Sequence, residues 1–455
     1  MASGRDWQER FDAWVAPFAE ALGTHPHGRR CLPAYLTGLV LPGERKSLEP
    51  LAARALGPGA DRYQSLHHFL ADSPWDAGPL EALLAAEADR LVGGPDACLT
   101  VDDTALPKKG RHSVGVAHQY CGALGKTANC QSVVTLTLAR GEVPVCAAAR
   151  LFLPREWTDD PERCRRAKVP AEVARAGHRT KGELALGELD RLLSAGVRFG
   201  TVLADAGYGN SGPWRRELSR RGLKWAVGVL PNCQLWPAGA AAPPARRRGG
   251  QPRAAGPAAA PRSARDAAAA LPAGAWHRVG WRAGTLAGRG RPLSAEFAAV
   301  RVLPADGPKA TPGARHRGPG GEECWLVAER REGGEVRFHL SNLGPESTPG
   351  ELAAALKARW SCEQAHQQMK EELGLDHFEG RGWRGLHRHM LLCRMAHCFL
   401  QGLRLGKKKV AGPSGRAAPP DAARGAPPAG GMARAAGALP PLPRKVPAAA
   451  PDVTE

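Results

Sequence analysis

Three acidic residues stand where they could hold metal ions. Asp102 follows the apolar run Cys98-Leu99-Thr100-Val101, Asp205 ends the run Phe199–Ala204, and Glu363 lies in a helical stretch between Arg359 and Lys370. Hard cations such as Mg²⁺ take carboxylate oxygens, and a pair of ions can share one bridging carboxylate. One ion activates an attacking water or 3′-hydroxyl, and the other stabilises the leaving oxygen. Arg359 and Lys370 would then bind phosphates near the cut. Each feature also has a plain alternative. Asp102 and Asp103 could cap a turn, and Arg359, Glu363, Gln367 and Lys370, at offsets of four, four and three, could be a solvated salt-bridge face.

The elements that position these residues follow from pattern. Cys98–Val101 reads as a buried strand that stops in the two acids before Pro107-Lys108-Lys109-Gly110. Residues 132–138 and 144–153 read as neighbouring antiparallel strands joined by a turn at 139–142, with the Asp102 strand at or near the sheet centre. A helical stretch at 171–193 leads to the Asp205 strand, a helix at 214–221 and a strand at 223–230. Antiparallel strands followed by helix, strand, helix and strand give the order of an α/β fold of the ribonuclease-H-like kind. Further strand-like pieces occur at 276–281, 297–303, 325–329 and 336–340. Thr348-Pro349-Gly350-Glu351 is a capping box with proline at the first helical position. It predicts one helix from there through Leu352, Leu356, Trp360 and Met369 to Leu373, stopped by Gly374.

Residues 1–95 read as helical, with Trp7, Phe11, Trp14, Val15, Phe18 and Leu22 on one face. They form either a DNA-contacting domain, with Arg45 and Lys46 as its first candidates, or a brace for the core. The division expected is 1–95 helical, 96–232 first part of the catalytic core, 233–345 a β-rich insertion, 346–405 the second part of the core, and 406–455 a basic tail. Within the insertion, 237–275 is Ala/Pro/Arg-rich and includes Arg246, Arg247 and Arg248, and the tail has a similar composition. Both read as disordered, because neither can bury enough apolar surface to offset its ordering entropy.

A chain of 455 residues has room for two or three domains, and its net charge of +19 favours polyanionic partners. There is no apolar run long enough to cross a membrane and no signal-peptide core. Eleven cysteines without a CxxC pair fit reduced thiols. A soluble, cytoplasmic protein is therefore expected, nucleoid-associated when bound to DNA. His387, His389, Cys393, His397 and Cys398 match no standard zinc spacing and read as packing on a helix.

These motifs together resemble a DDE transposase of a bacterial insertion sequence, from the group with the signature Tyr-x2-Arg-x3-Glu-x6-Lys. Arg359, Glu363 and Lys370 keep the spacing, and Leu356 stands where the tyrosine belongs. Asp102-Asp103-Thr104, residues 115–120, Asn129-Cys130-Gln131, residues 204–209, residues 370–376 and residues 379–383 are similar to the family's text. The resemblance implies Asp102, rather than Asp103, with Asp205 and Glu363 as catalytic acids holding two Mg²⁺ ions, Mn²⁺ being able to substitute. It also implies a β-rich insertion before the glutamate helix, and double-stranded DNA, both element ends and target, as partner of a homodimer in the synaptic complex. Two rivals remain at this point: a catalytically dead DNA-binding relative, and a structure-specific nuclease without strand transfer.

Overall fold

The computed structural model describes residues 4–23, 26–57, 59–240, 260–282, 293–307 and 317–410. Five helices come first: α1 (Gly4–Ala21), α2 (Pro26–Val40), α3 (Leu48–Leu56), α4 (Ala60–Ala71) and α5 (Gly78–Val92). Strands β1 (Cys98–Pro107), β2 (Ala117–Cys121), β3 (Lys126–Arg140) and β4 (Val143–Leu151) follow. After them come the helices α6 (Arg155–Thr158), α7 (Pro161–Arg166), α8 (Ala171–Arg175) and α9 (Lys181–Ser194). Strand and helix then alternate through β5 (Thr201–Ala204), α10 (Ala206–Gly209), α11 (Gly212–Arg220) and β6 (Lys224–Val229). The next stretch holds β7 (Gln234–Pro237), β8 (Arg262–Ser263), α12 (Ala264–Ala269), β9 (His277–Arg282), β10 (Leu293–Pro304), β11 (Cys324–Arg330) and β12 (Val336–Ser341). Last are α13 (Pro349–Lys357), α14 (Trp360–Glu371) and α15 (Trp383–Val410).

Among the described residues the strands form one mixed sheet of twelve, in the order β2-β3-β1-β5-β6-β12-β11-β10-β7-β8, with β4 on β3 and β9 on β10. β1 lies between an antiparallel β3 and a parallel β5; its residues Leu99, Thr100 and Val101 are fully buried, as a strand with neighbours on both sides requires. The strands after β6 do not form a sheet of their own. β12 pairs antiparallel with β6, from Phe338 opposite Val229 to Ser341 opposite Ala226, so the β-rich stretch continues the same sheet.

The N-terminal helices and the sheet share one hydrophobic cluster, which includes Phe11, Leu36, Leu84, Leu136 and Phe399. α15 runs through it, with Leu386, Met390, Leu391, Leu392, Met395 and Ala396 all buried. Its Arg388, His389, Arg394, His397 and Gln401 are buried too, and each has hydrogen-bond partners. The guanidinium of Arg388 lies over the Trp75 ring at 4.1 Å and donates to the carbonyls of Phe69, Leu70, Ser73 and Trp75. Those four acceptors belong to the end of α4 and the turn after it. Arg388→Met should therefore cost on the order of 3 kcal/mol, because the buried carbonyls lose their donor. A urea midpoint unchanged from wild type would show that this turn needs no such clamp.

Several sequence expectations change. The helix expected over 349–373 is two: α13 keeps the capping box of Thr348 and Glu351, but the ladder tightens to i→i+3 bonds at Ala358 and Arg359, and α14 begins at Trp360. The stretch 171–193 likewise breaks at Gly177, and Thr180 with Glu183 forms a second capping box for α9. β1 does not stop at Asp102; only its pairing with β5 does. Of the linker expected to be disordered at 237–275, residues 260–275 are ordered and Pro237 belongs to β7. Ser263 caps α12, and Ala264 and Ala268, one turn apart, are buried in the common core. Small side chains suffice there because the neighbouring strands supply the apolar surface. Residues 241–259, with Arg246, Arg247, Arg248 and Arg253, lie outside the described residues, as does the expected tail from 411 onward. α15 reaches Val410, beyond the boundary expected at 406. No described helix is long and apolar enough to cross a membrane.

Candidate active site

Register places the first two acids. Val101 of β1 is opposite Ala204 of the parallel strand β5, so Asp102 and Asp205 are the next residues on two adjacent strands. Adjacent strands run about 4.8 Å apart, and the carboxyl ends of parallel strands are where α/β sheets present ligand groups. Asp205 leaves the sheet at once: it is the N-cap of α10, and its carboxylate accepts from the Gly207 amide at 2.9 Å. Asp102 remains in β1, paired with Thr135 of β3, while its β5 side is open.

Successive strand residues point to opposite faces, and Asp102 and Asp103 accordingly have different surroundings. Asp103 accepts from Lys181 of α9 at 2.7 Å and from the Ser132 hydroxyl at 3.1 Å. Asp102 accepts from Arg359 at 3.0 Å, and the same guanidinium donates to Glu363 at 2.6 Å. Arg359 thus ties the strand carboxylate to the helix carboxylate. Asp102 is the more enclosed, at 13% side-chain exposure against 53% for Glu363.

Burial pushes the Asp102 carboxyl up to about 7; Arg359 opposes the shift, and the charges of Asp205 and Asp103 add to it. A carboxyl held in this state gains from a nearby cation. The donors of Asp102, Asp205 and Glu363 are all hard oxygens, so the set fits divalent ions such as Mg²⁺ in chemistry.

The basic candidates separate. Arg359 is at the acids. Lys370 lies about two turns beyond Glu363 along α14, half-buried; burial lowers its pKa from the lysine range, and Asp376 opposes this. Arg45 pairs with Glu379 at 2.9 Å, both side chains exposed. Lys46 is the correction: it is 3% exposed, and its Nζ donates to the carbonyls of Leu39 and Leu41 at the end of α2. Its amide donates to His377, and its side chain lies where a Cβ on Gly374, at φ +67°, would collide with it at 2.3 Å. That ammonium is a helix clamp and is not presented to DNA. Charge patterning alone does not distinguish it from Arg45.

Sequence reasoning did not single out three other groups near the acids. Tyr208, 4% exposed, has a hydroxyl without a hydrogen-bond partner among the described residues, and Asp103, Asp102 and Asp205 lie within electrostatic reach of it. Its motif, residues 204–209, did carry the signal. Cys362 and His366 sit beneath Asp102 on the buried face of α14, and their spacing of four was the available sign.

A family profile described as DDE superfamily endonuclease matches residues 17–288, which include Asp102 and Asp205 and end before Glu363. Over 190 residues the chain is 33% identical to a probable transposase for insertion sequence element IS701 from Microchaete diplosiphon, an overlap of 42% of this chain and 46% of that one. The chain thus spans about half the length of this curated relative. Among solved structures, a cryo-EM structure of the piggyBac transposase synaptic complex with hairpin DNA aligns over 89% of this chain and 76% of its own, at a TM-score of 0.42 and 11% identity. The profile match extends over more than half of the sequence, and the chain belongs to the DDE superfamily endonucleases.

Proposed function

We propose that the protein is the transposase of an insertion sequence, built on a ribonuclease-H-like core. In this reading it cuts the ends of its element and transfers the 3′-hydroxyl ends to target DNA. The observation that carries the reading is the placing of Asp102 and Asp205 directly after the paired stretch of the parallel strands β1 and β5, with a third carboxylate joined to Asp102 through Arg359.

Asp102, Asp205 and Glu363 are the residues that would hold two Mg²⁺ ions, with Mn²⁺ able to substitute. Bound there, the ions supply an activated water or 3′-hydroxyl and a Lewis acid for the leaving oxygen. The chain's own part is positioning. β1 and β5 fix two acids by hydrogen-bonded register, and α14 brings the third on a rigid element. Arg359 keeps a planar donor fork beside the acids, suited to a phosphate at the cut. Lys370 and the exposed Arg45 would hold the duplex further away, as element end or as target, in a synaptic homodimer.

The test uses the purified chain and the DNA that flanks its gene. End cleavage followed by joined product is expected. Nicks without joining would leave a nuclease, and binding without cutting would leave a DNA-binding relative. The phosphate role has its own readout. Arg359→Ala and Lys370→Ala should each weaken end-binding and lower the slope of log affinity against log salt by about one. Affinities equal to wild type across a salt titration would return both to an ordinary salt-bridge face.

A further inference from the structure

Directly beneath Asp102, α14 presents a thiol and an imidazole to β3. Cys362 and His366 are one helical turn apart and share a face, Cys362 fully buried and His366 8% exposed. The Sγ of Cys362 is 3.7 Å from Nε2 of His366. A carboxylate oxygen of Asp102 completes a group whose ligand atoms all lie within 4.8 Å of one another. In a tetrahedral zinc site, with bonds of about 2.0–2.3 Å, neighbouring ligand atoms stand roughly 3.5 Å apart, so the Cys–His pair already has the separation such an ion requires. The packing around it is polar. Thr137 Oγ1 accepts from the thiol at 3.4 Å. Thr135 Oγ1, which donates to the Asp102 carbonyl at 3.1 Å, accepts from His366 Nε2 at 2.7 Å. An ion at Nε2 takes the place of that contact, and the imidazole then carries its proton on Nδ1.

The ligand types decide which ions fit. Mg²⁺ takes oxygens and keeps its water; thiolate with imidazole selects Zn²⁺ and its analogues Co²⁺ and Cd²⁺. We propose that Asp102, Cys362 and His366 form a soft-metal site that captures Zn²⁺, with a solvent oxygen as fourth ligand. Binding expels the thiol proton to solvent. Because one ligand is Asp102, the site is an inhibitory one. Zinc held there takes that carboxylate out of the triad, so micromolar Zn²⁺ should stop cleavage that millimolar Mg²⁺ supports. The inhibition rests on the catalytic reading of Asp102, whereas the binding does not.

Co²⁺ titration of the purified full-length chain tests binding without any DNA. One equivalent should produce a thiolate-to-cobalt absorption band, and Zn²⁺ should remove it. All eleven cysteines are free, so the band needs assignment. Cys362→Ser should abolish it and His366→Gln should weaken cobalt affinity at least tenfold, with melting curves confirming that both variants are folded. Zinc inhibition, normalised to each variant's own Mg²⁺-supported rate, should shift at least tenfold in Cys362→Ser. A wild-type protein with no band, or a band that survives Cys362→Ser, overturns the site. A wild-type protein that shows the band and cuts normally in Zn²⁺ overturns the inhibitory role. Failure of the transposase reading would look different: the band would remain while triad substitutions left cleavage intact.

Discussion

Asp205→Asn should lower end cleavage by on the order of 10³ or more, equivalent to about 4 kcal/mol of transition-state stabilisation, while end-binding stays within about twofold of wild type. Asparagine is the informative replacement because, among the described residues, the only hydrogen bond at this side chain comes from the Gly207 amide. An amide oxygen keeps that cap, so the change removes charge and not structure. Asp102→Asn should behave alike, although it also weakens the link through Arg359 to Glu363. Glu363→Gln removes the third charge from a half-exposed position at little cost to packing. Asp103→Asn should be milder, since its partners are Lys181 and Ser132 on the other side of the strand. Wild-type cutting by Asp205→Asn in Mg²⁺ would remove the triad assignment. An inactive Asp103→Asn beside an active Asp102→Asn would exchange the two roles.

Why these acids were legible in the sequence is a matter of local chemistry. An apolar run that ends in a carboxylate announces itself, and both Val101-Asp102 and Ala204-Asp205 do so. That the two runs are neighbours in parallel register is not local information; it comes from tertiary pairing. The continuation of β1 past Asp102 was hidden for the same reason: a carboxylate inside a strand is tolerated only because β5 ends there. The break between α13 and α14 has no sequence signal, since neither glycine nor proline occurs from Leu352 to Trp360. Yet the break sets where Arg359 points. Lys46 shows the opposite failure. A basic pair in the helical N-terminal segment suggested DNA contact, and only the fold reveals that the Lys46 ammonium closes a helix end. The order at 260–275 was missed because composition counts large apolar side chains, whereas Ala264 and Ala268 bury against surface that other elements provide.

The second large effect is expected from acid. α15 carries His389 and His397, each 1% exposed, and burial pushes both down to about 4. His389 accepts from the Tyr35 hydroxyl at Nδ1 (2.8 Å) and donates from Nε2 to the Gly374 carbonyl (3.0 Å), which fixes the neutral tautomer; the charges of Lys108 and His377 face it as well. His397 shares Gln368 and Gln401 through Nε2, its Nδ1 is buried without a partner among the described residues, and Arg404 adds a like charge. In the unfolded chain such histidines titrate near 6.5. Between about pH 6.5 and 4 the unfolded state therefore binds protons that the native state refuses, and stability must fall as pH falls. Each histidine contributes about 1.4 kcal/mol per pH unit inside that window, and up to about 3 kcal/mol across it. Urea midpoints measured from pH 7 to pH 4 should drop steeply, and His389→Gln with His397→Gln should flatten the curve even though the double variant starts lower. Its slope is the discriminating quantity, because lost packing changes the level alone. A residual slope belongs to His387 and His366, pushed down by burial to about 4 and about 3, and to His339, which burial also lowers. A double variant whose stability falls with acid as steeply as wild type would show that these two imidazoles accept protons without unfolding the helix on which the shared core is built.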